Sequence, residues 1–131
     1  PHSQWASSWE WAELDQAAMT VSLIDGSMKE TLQYTLPTFH DVWVDHQYGG
    51  VGLEPKRTKA FHWGNGYHQF EHALIGYLYA QQVAAKPATL YYAREANSEM
   101  PMEPYYYQGD VVKLENQGDG TQKVSFNNIR P

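Results

Sequence analysis

The sequence contains no cysteine, which excludes disulfide cross-links and thiol chemistry from any account of its stability or activity. Positive charge is scarce as well. Lys and Arg number 9 against 15 Asp and Glu, the net charge is −6, and the only basic cluster is Lys56-Arg57-Thr58-Lys59. A nucleic-acid interface needs a basic footprint, so nucleic acid is not an expected partner. No apolar run approaches the roughly 18 residues that suggest a membrane helix, and no signal-peptide pattern follows Pro1, so neither a membrane partner nor an export signal is read. A signal removed earlier would leave no trace; the cytoplasm is the default compartment, with the periplasm and secretion left open. Internal repeats and low-complexity linkers are also missing, and 131 residues suffice for one domain with a modest core.

Aromatic residues are abundant: 10 Tyr, 5 Trp and 4 Phe make up 15% of the chain. Carbohydrate sites favour such side chains, because a ring face stacks on C–H bonds while hydroxyls find hydrogen bonds. The tail clusters, Tyr91-Tyr92 and Tyr105-Tyr106-Tyr107, read instead as core or interface packing.

Helix signals dominate the first two thirds. Ser7-x-x-Glu10 is a capping box and Gly26 a stop, so a helix is expected from Ser8 to Asp25. On it Trp9, Glu13, Gln16 and Thr20 share a polar arc headed by one indole, and Trp11, Leu14, Ala18 and Val21 form the expected packing face. A second capping box, Ser27-x-x-Glu30, predicts another helix that Pro37 must kink or interrupt. Residues 47–55 read as a glycine-rich turn with a short extended piece, and His40 and His46, which flank its start, read as surface or capping histidines. After the breakers Gly64, Asn65 and Gly66, the chain runs from Tyr67 to Val83 without proline, with apolar residues at helical spacing.

That third helix carries the densest chemistry. His68 and His72 are four residues apart on one face, with Glu71 beside them. His68-x-x-Glu71-His72 has the form of the inverted zinc-protease signature, but a third ligand must come from elsewhere, so no metal or other cofactor is assigned. From Lys86 the pattern changes to period two. A strand is expected over 89–93, and a hairpin pairing 110–115 with 122–126 across the turn 116–121.

Three blocks together resemble a known family. Trp63-Gly-Asn-Gly-Tyr67-His68 is similar to a segment near the C-terminus of the N-acylglucosamine 2-epimerase and cellobiose 2-epimerase group. Trp9-Glu10-Trp11-Ala12-Glu13 looks like its Trp-x-x-x-Glu pattern, and Phe39, Asp45, Gly49 and Gly50 look like the segment where the chain turns back inward. The resemblance spans residues 5–83. In one departure, Glu71 stands where the family usually has arginine.

The resemblance implies a mainly α fold, the C-terminal portion of an (α/α) barrel over residues 1–85, with residues 86–131 as a β-rich hairpin appendix of the same domain. Such a barrel has about a dozen helices of about 12 residues each, more than this chain holds, so the remainder of the barrel or a companion chain is the implied partner beside a sugar substrate. The implied activity is 2-epimerisation or aldose–ketose isomerisation through metal-independent proton transfer at C2 of an open-chain sugar. Imidazole suits acid and base roles near neutrality. His68 and Glu13 are the implied catalytic residues; Trp9, Trp63, Tyr67, Glu71 and His72 the implied substrate-binding or supporting ones. The alternatives are a non-catalytic carbohydrate-binding or protein-interaction piece and, further off, a zinc hydrolase.

Overall fold

A computed structural model of the chain describes residues 6–55, 59, 66–94, 98 and 100–131. Two compact units divide it, residues 1–76 and 77–131. Helix α1 spans Ser8–Asp25, as its caps predict. The Ser7 N–H donates to Glu10 Oε2 at 2.8 Å and the Ser7 hydroxyl to the same oxygen at 2.6 Å. At the far end Gly26 takes φ 76°, a left-handed conformation cheap only for glycine, and its N–H donates to the Ser22 carbonyl at 2.9 Å.

Helix α2, Lys29–Trp43, starts later than its expected capping box. The Ser27 N–H donates to Asp25 Oδ1 at 2.8 Å, which spends Ser27 on the turn after α1, and Met28 is the N-cap with φ 62°. Pro37 lies inside α2 without ending it. Beyond Trp43 the chain folds back on itself, with Val44 bridged to Val51. Asp45 organises this turn: its Oδ1 accepts from the N–H groups of Gln47 and Tyr48 at 2.9 and 3.0 Å, and its Oδ2 from Lys59 Nζ at 2.7 Å. Gly50 sits at φ 87°, where a Cβ would lie 3.2 Å from Lys59 Cδ. The turn is tied onward to α1, because the Ser8 N–H donates to the Leu53 carbonyl at 2.9 Å.

The core of the first unit gathers Ala12, Phe39 and Trp43, with Trp11, Val42, Val44 and Val51 packed around them. Its rings form a chain. Trp11 and Trp43 have centroids 4.8 Å apart, Phe39 stacks on Trp43 at 5.8 Å, and His72 of helix α3, Tyr67–Val83, lies 4.4 Å from Phe39. The expected packing face of α1 is corrected in part, since Trp11 packs on the core as expected while Leu14 and Val21 do not turn inward. Leu14 is 67% exposed and Val21 39%, while Ser8, Ala12, Asp15, Gln16, Met19 and Ser22 are buried.

In the second unit, β1 (Ala88–Ala93), β2 (Gln108–Asn116) and β3 (Thr121–Arg130) form an antiparallel sheet in the order β1-β3-β2. The hairpin pairs as its alternation predicts, Leu114 opposite Val124 and Glu115 opposite Lys123. The sequence did not reveal the partner of β1, which adds to the other edge of β3 with Leu90 opposite Val124. The last turns of α3 belong to this unit. Tyr77 Oη accepts from the Thr89 N–H at 2.8 Å, and Gln82 Oε1 from the Ile129 N–H at 2.8 Å. Tyr107 is 1% exposed and serves the core with Val124 and Phe126.

The expected helical-barrel portion with a hairpin appendix is therefore overturned. Among the described residues the fold is α+β, with three helices and a three-stranded antiparallel sheet. The physical reasons are local. The end of α3 spends polar side chains on sheet backbone, and the inward face of α1 is largely polar. A helix of a helix-on-helix ring presents an apolar stripe to its neighbours instead.

The turn after α2 should respond to acid. Its hydrogen bond with the Lys59 ammonium, then that from the Tyr48 N–H, pull the Asp45 carboxyl from the ordinary 3.8 to about 2. Because the folded value is the lower one, ionised Asp45 stabilises the turn above pH 3.8, and that contribution is lost as pH falls through about 2. An NMR pH titration should move the Gln47 and Tyr48 amide protons with a midpoint near 2; a midpoint at 3.8 would refute this account of the turn.

Candidate active site

Helices α1 and α3 bring two carboxylate–imidazole pairs together. In the outer pair, His68 Nδ1 lies 2.6 Å from Glu13 Oε1, with the side chains 34% and 44% exposed. A carboxylate can only accept, so Nδ1–H is the donor and Nε2 is the nitrogen that carries a lone pair. Two aromatic rings flank this imidazole. Trp9, one turn before Glu13, has its centroid 5.8 Å away at 40°, and the Tyr67 ring meets His68 edge-on at 5.2 Å and 84°. Tyr67 Oη donates to Glu71 Oε1 at 3.3 Å.

The inner pair lies one turn further along α3 and two residues further along α1. His72 Nε2 is 3.1 Å from Asp15 Oδ2, with the side chains 11% and 3% exposed. His72 thus donates through the opposite nitrogen from His68, and its ring packs on Phe39. The two pairs share helices but differ in environment, and a charge-assisted hydrogen bond is weakened by water at the outer pair and barely at the inner one.

The residues singled out in the sequence divide accordingly. Glu13 and His68 meet directly, Trp9 and Tyr67 stand beside them, and Glu71 is bound to Tyr67. His72 is inside. Trp63 lies outside the described residues. The polar arc of α1 splits: Trp9 and Glu13 are exposed, whereas Gln16 is 5% exposed and its carbonyl accepts from the Thr20 hydroxyl at 2.8 Å. The histidines of the His68-x-x-Glu71-His72 motif point their bonded nitrogens at separate carboxylates, which is not the arrangement of a shared metal. Sequence reasoning missed Asp15. Its signal was its place in the series Ser8, Ala12, Asp15, Met19, Ser22, which recurs every three or four residues along one face.

Comparisons with protein-family models, with curated proteins and with solved structures find no match to this chain.

The pairs should separate in mutational stability. Asp15→Leu keeps the branching of the side chain but leaves the buried His72 N–H without its acceptor, at an expected cost of about 1–3 kcal/mol. Glu13→Gln, on the exposed pair, should change stability by less than about 1 kcal/mol. Urea unfolding of both variants checks this, and equal effects would show that the inner pair is not the structural one.

Proposed function

We propose that the Glu13–His68 pair is an acid–base device for proton transfer at C2 of an open-chain sugar, as in a sugar 2-epimerase or an aldose–ketose isomerase. The observation that carries this reading is the 2.6 Å contact of Glu13 Oε1 with His68 Nδ1. It fixes the imidazole tautomer, leaves Nε2 basic, and stabilises the imidazolium that forms when Nε2 takes a proton. The C2 proton of an aldose is acidic because its loss gives an enediolate. Trp9, 44% exposed beside the imidazole, offers an apolar face to the C–H side of a sugar.

Stereochemistry narrows the reading. A single base can lift a proton from C2 and return it to C1 on the same face, which interconverts aldose and ketose. Inversion at C2 requires a second proton donor on the opposite face. Beside His68, the Tyr67 hydroxyl and the Glu71 carboxyl are further proton-carrying groups at the outer pair. The stereochemical outcome at C2 therefore separates the epimerase from the isomerase. A second reading, a non-catalytic carbohydrate-binding surface, draws on the exposure of the pair at 34% and 44%.

Incubating the protein in D2O with free aldoses, N-acylhexosamines and disaccharides, and following the C2 hydrogen by NMR, tests both readings. The expected result is exchange with the wild type, reduced by about 100-fold or more in His68→Ala and clearly reduced in Glu13→Gln. Binding of a sugar without exchange would transfer the assignment to the binding surface. Exchange undiminished in His68→Ala would remove His68 from the mechanism.

A further inference from the structure

A second cluster of titratable side chains stands at the opposite end of α2 from its N-cap and takes no part in the proton-transfer reading. His40 and Asp41 occupy the last turn of α2, and the chain reversal organised by Asp45 returns His46 against them. The His40 and His46 rings have centroids 4.4 Å apart at 51°. One donor atom from each of His40, Asp41 and His46 falls within 4.8 Å of the other two. All three residues are exposed.

Two hydrogen bonds prepare these donors. His46 Nε2 lies 3.0 Å from the His40 carbonyl oxygen, which can only accept. The proton therefore sits on Nε2, and Nδ1 of His46 keeps its lone pair. This is the arrangement by which a ligating histidine is oriented: the far ring nitrogen donates to a backbone carbonyl and the near one faces the ion. His40 Nδ1 is 3.1 Å from Asp41 Oδ1, so a cation seated between ring and carboxylate would replace the proton that this contact holds. The position adds a further attraction for a cation, since the last turn of a helix carries the negative end of its dipole and His40 lies in that turn. The neighbouring Asp45 is already committed to Lys59 and two backbone N–H groups, so the site's anionic donor is Asp41.

We propose that His40, Asp41 and His46 bind one divalent transition-metal ion of the zinc class. Two imidazoles and one carboxylate are a donor set that suits zinc, copper, nickel and iron, and that magnesium and calcium, which prefer oxygen, serve poorly. Three protein ligands at an exposed surface leave the remaining positions to water. The ion would clamp the end of α2 to the turn that follows it. That turn is bonded through the Leu53 carbonyl to the Ser8 N–H at the start of α1, so the clamp would also steady the helix that carries Trp9 and Glu13.

Zinc titration of the whole chain against a chromogenic chelator, with thermal melts with and without zinc, tests the proposal. The expected result is one high-affinity equivalent and a melting temperature raised by zinc. Affinity should fall by at least about 10-fold in His40→Ala and in His46→Ala, and the thermal shift should vanish. His68→Ala, which removes a histidine outside the cluster, should bind zinc as the wild type does. Because His40 and His46 are exposed, the variants should fold, and circular dichroism checks this. Zinc binding that is unchanged in both cluster variants, that is lost in His68→Ala instead, or that produces no thermal shift overturns the proposal.

Discussion

The hydrogen bond between Asp15 and His72 decides which side of α1 faces inward. Asp15 is 2% exposed, and a carboxylate removed from water needs a partner. His72 supplies it from α3, and Phe39 of α2 covers the imidazole at 4.4 Å, so one polar contact is shared by all three helices. The rest of the buried face is built to let the helices approach. Ser8, Ala12 and Ser22 are small, and Met19 fills the remaining space. Truncating either member of the pair leaves the other buried and unpaired, which penalises alternatives that a purely apolar interface would tolerate.

The same constraint explains what the sequence could and could not disclose. Local signals were legible: the Ser7–Glu10 cap, the Gly26 stop and the two-residue alternation of the hairpin each predict a feature at its own place. The inward face of α1 was not, because a hydrophobic-stripe argument ranks Leu14 and Val21 above Asp15 and Gln16. The structure exposes the first two and buries the others. Asp15 and His72 are 57 residues apart, and nothing local in either marks the other. Ser27 was misleading for a related reason: the helix-start signal Ser27-x-x-Glu30 begins two residues after Asp25, whose side chain captures the Ser27 N–H. The place of β1 was equally hidden, since its partner β3 lies across two other segments and an alternating pattern names a face but not a neighbour.

The candidate site was more legible than the fold around it. Glu13 and His68 were named together through the family resemblance, and they meet at 2.6 Å although the chain does not form the barrel expected to unite them. Their relation was not foreseen: Glu13 orients the imidazole instead of reaching outward alone. An exposed and a buried carboxylate–imidazole pair thus lie on the same two helices. The buried pair sets the spacing and rotation of α1 against the start of α3, and that rotation fixes where Glu13, two residues before Asp15, can lie. A change inside would therefore register outside, without touching a substrate.

The start of α1 is held by a different device. Ser7 and Glu10 close its first turn, and the Ser8 N–H is tied to Leu53 at the end of the Asp45 turn. Trp9 follows immediately, and Glu13 is one turn beyond. The position of these two side chains depends on the buried pair for rotation and on the Asp45 turn for the anchoring of the helix end. An ionised Asp45 is part of that anchor, since its carboxylate gathers Lys59 and the Gln47 and Tyr48 amides at once. Acid that protonates Asp45 should loosen the first turn of α1 before it disturbs the ring chain through Trp43, because Ser8 is bonded to that loop by a single backbone contact while the rings are secured by burial. Loss of alignment at Trp9 and Glu13 should then precede global unfolding.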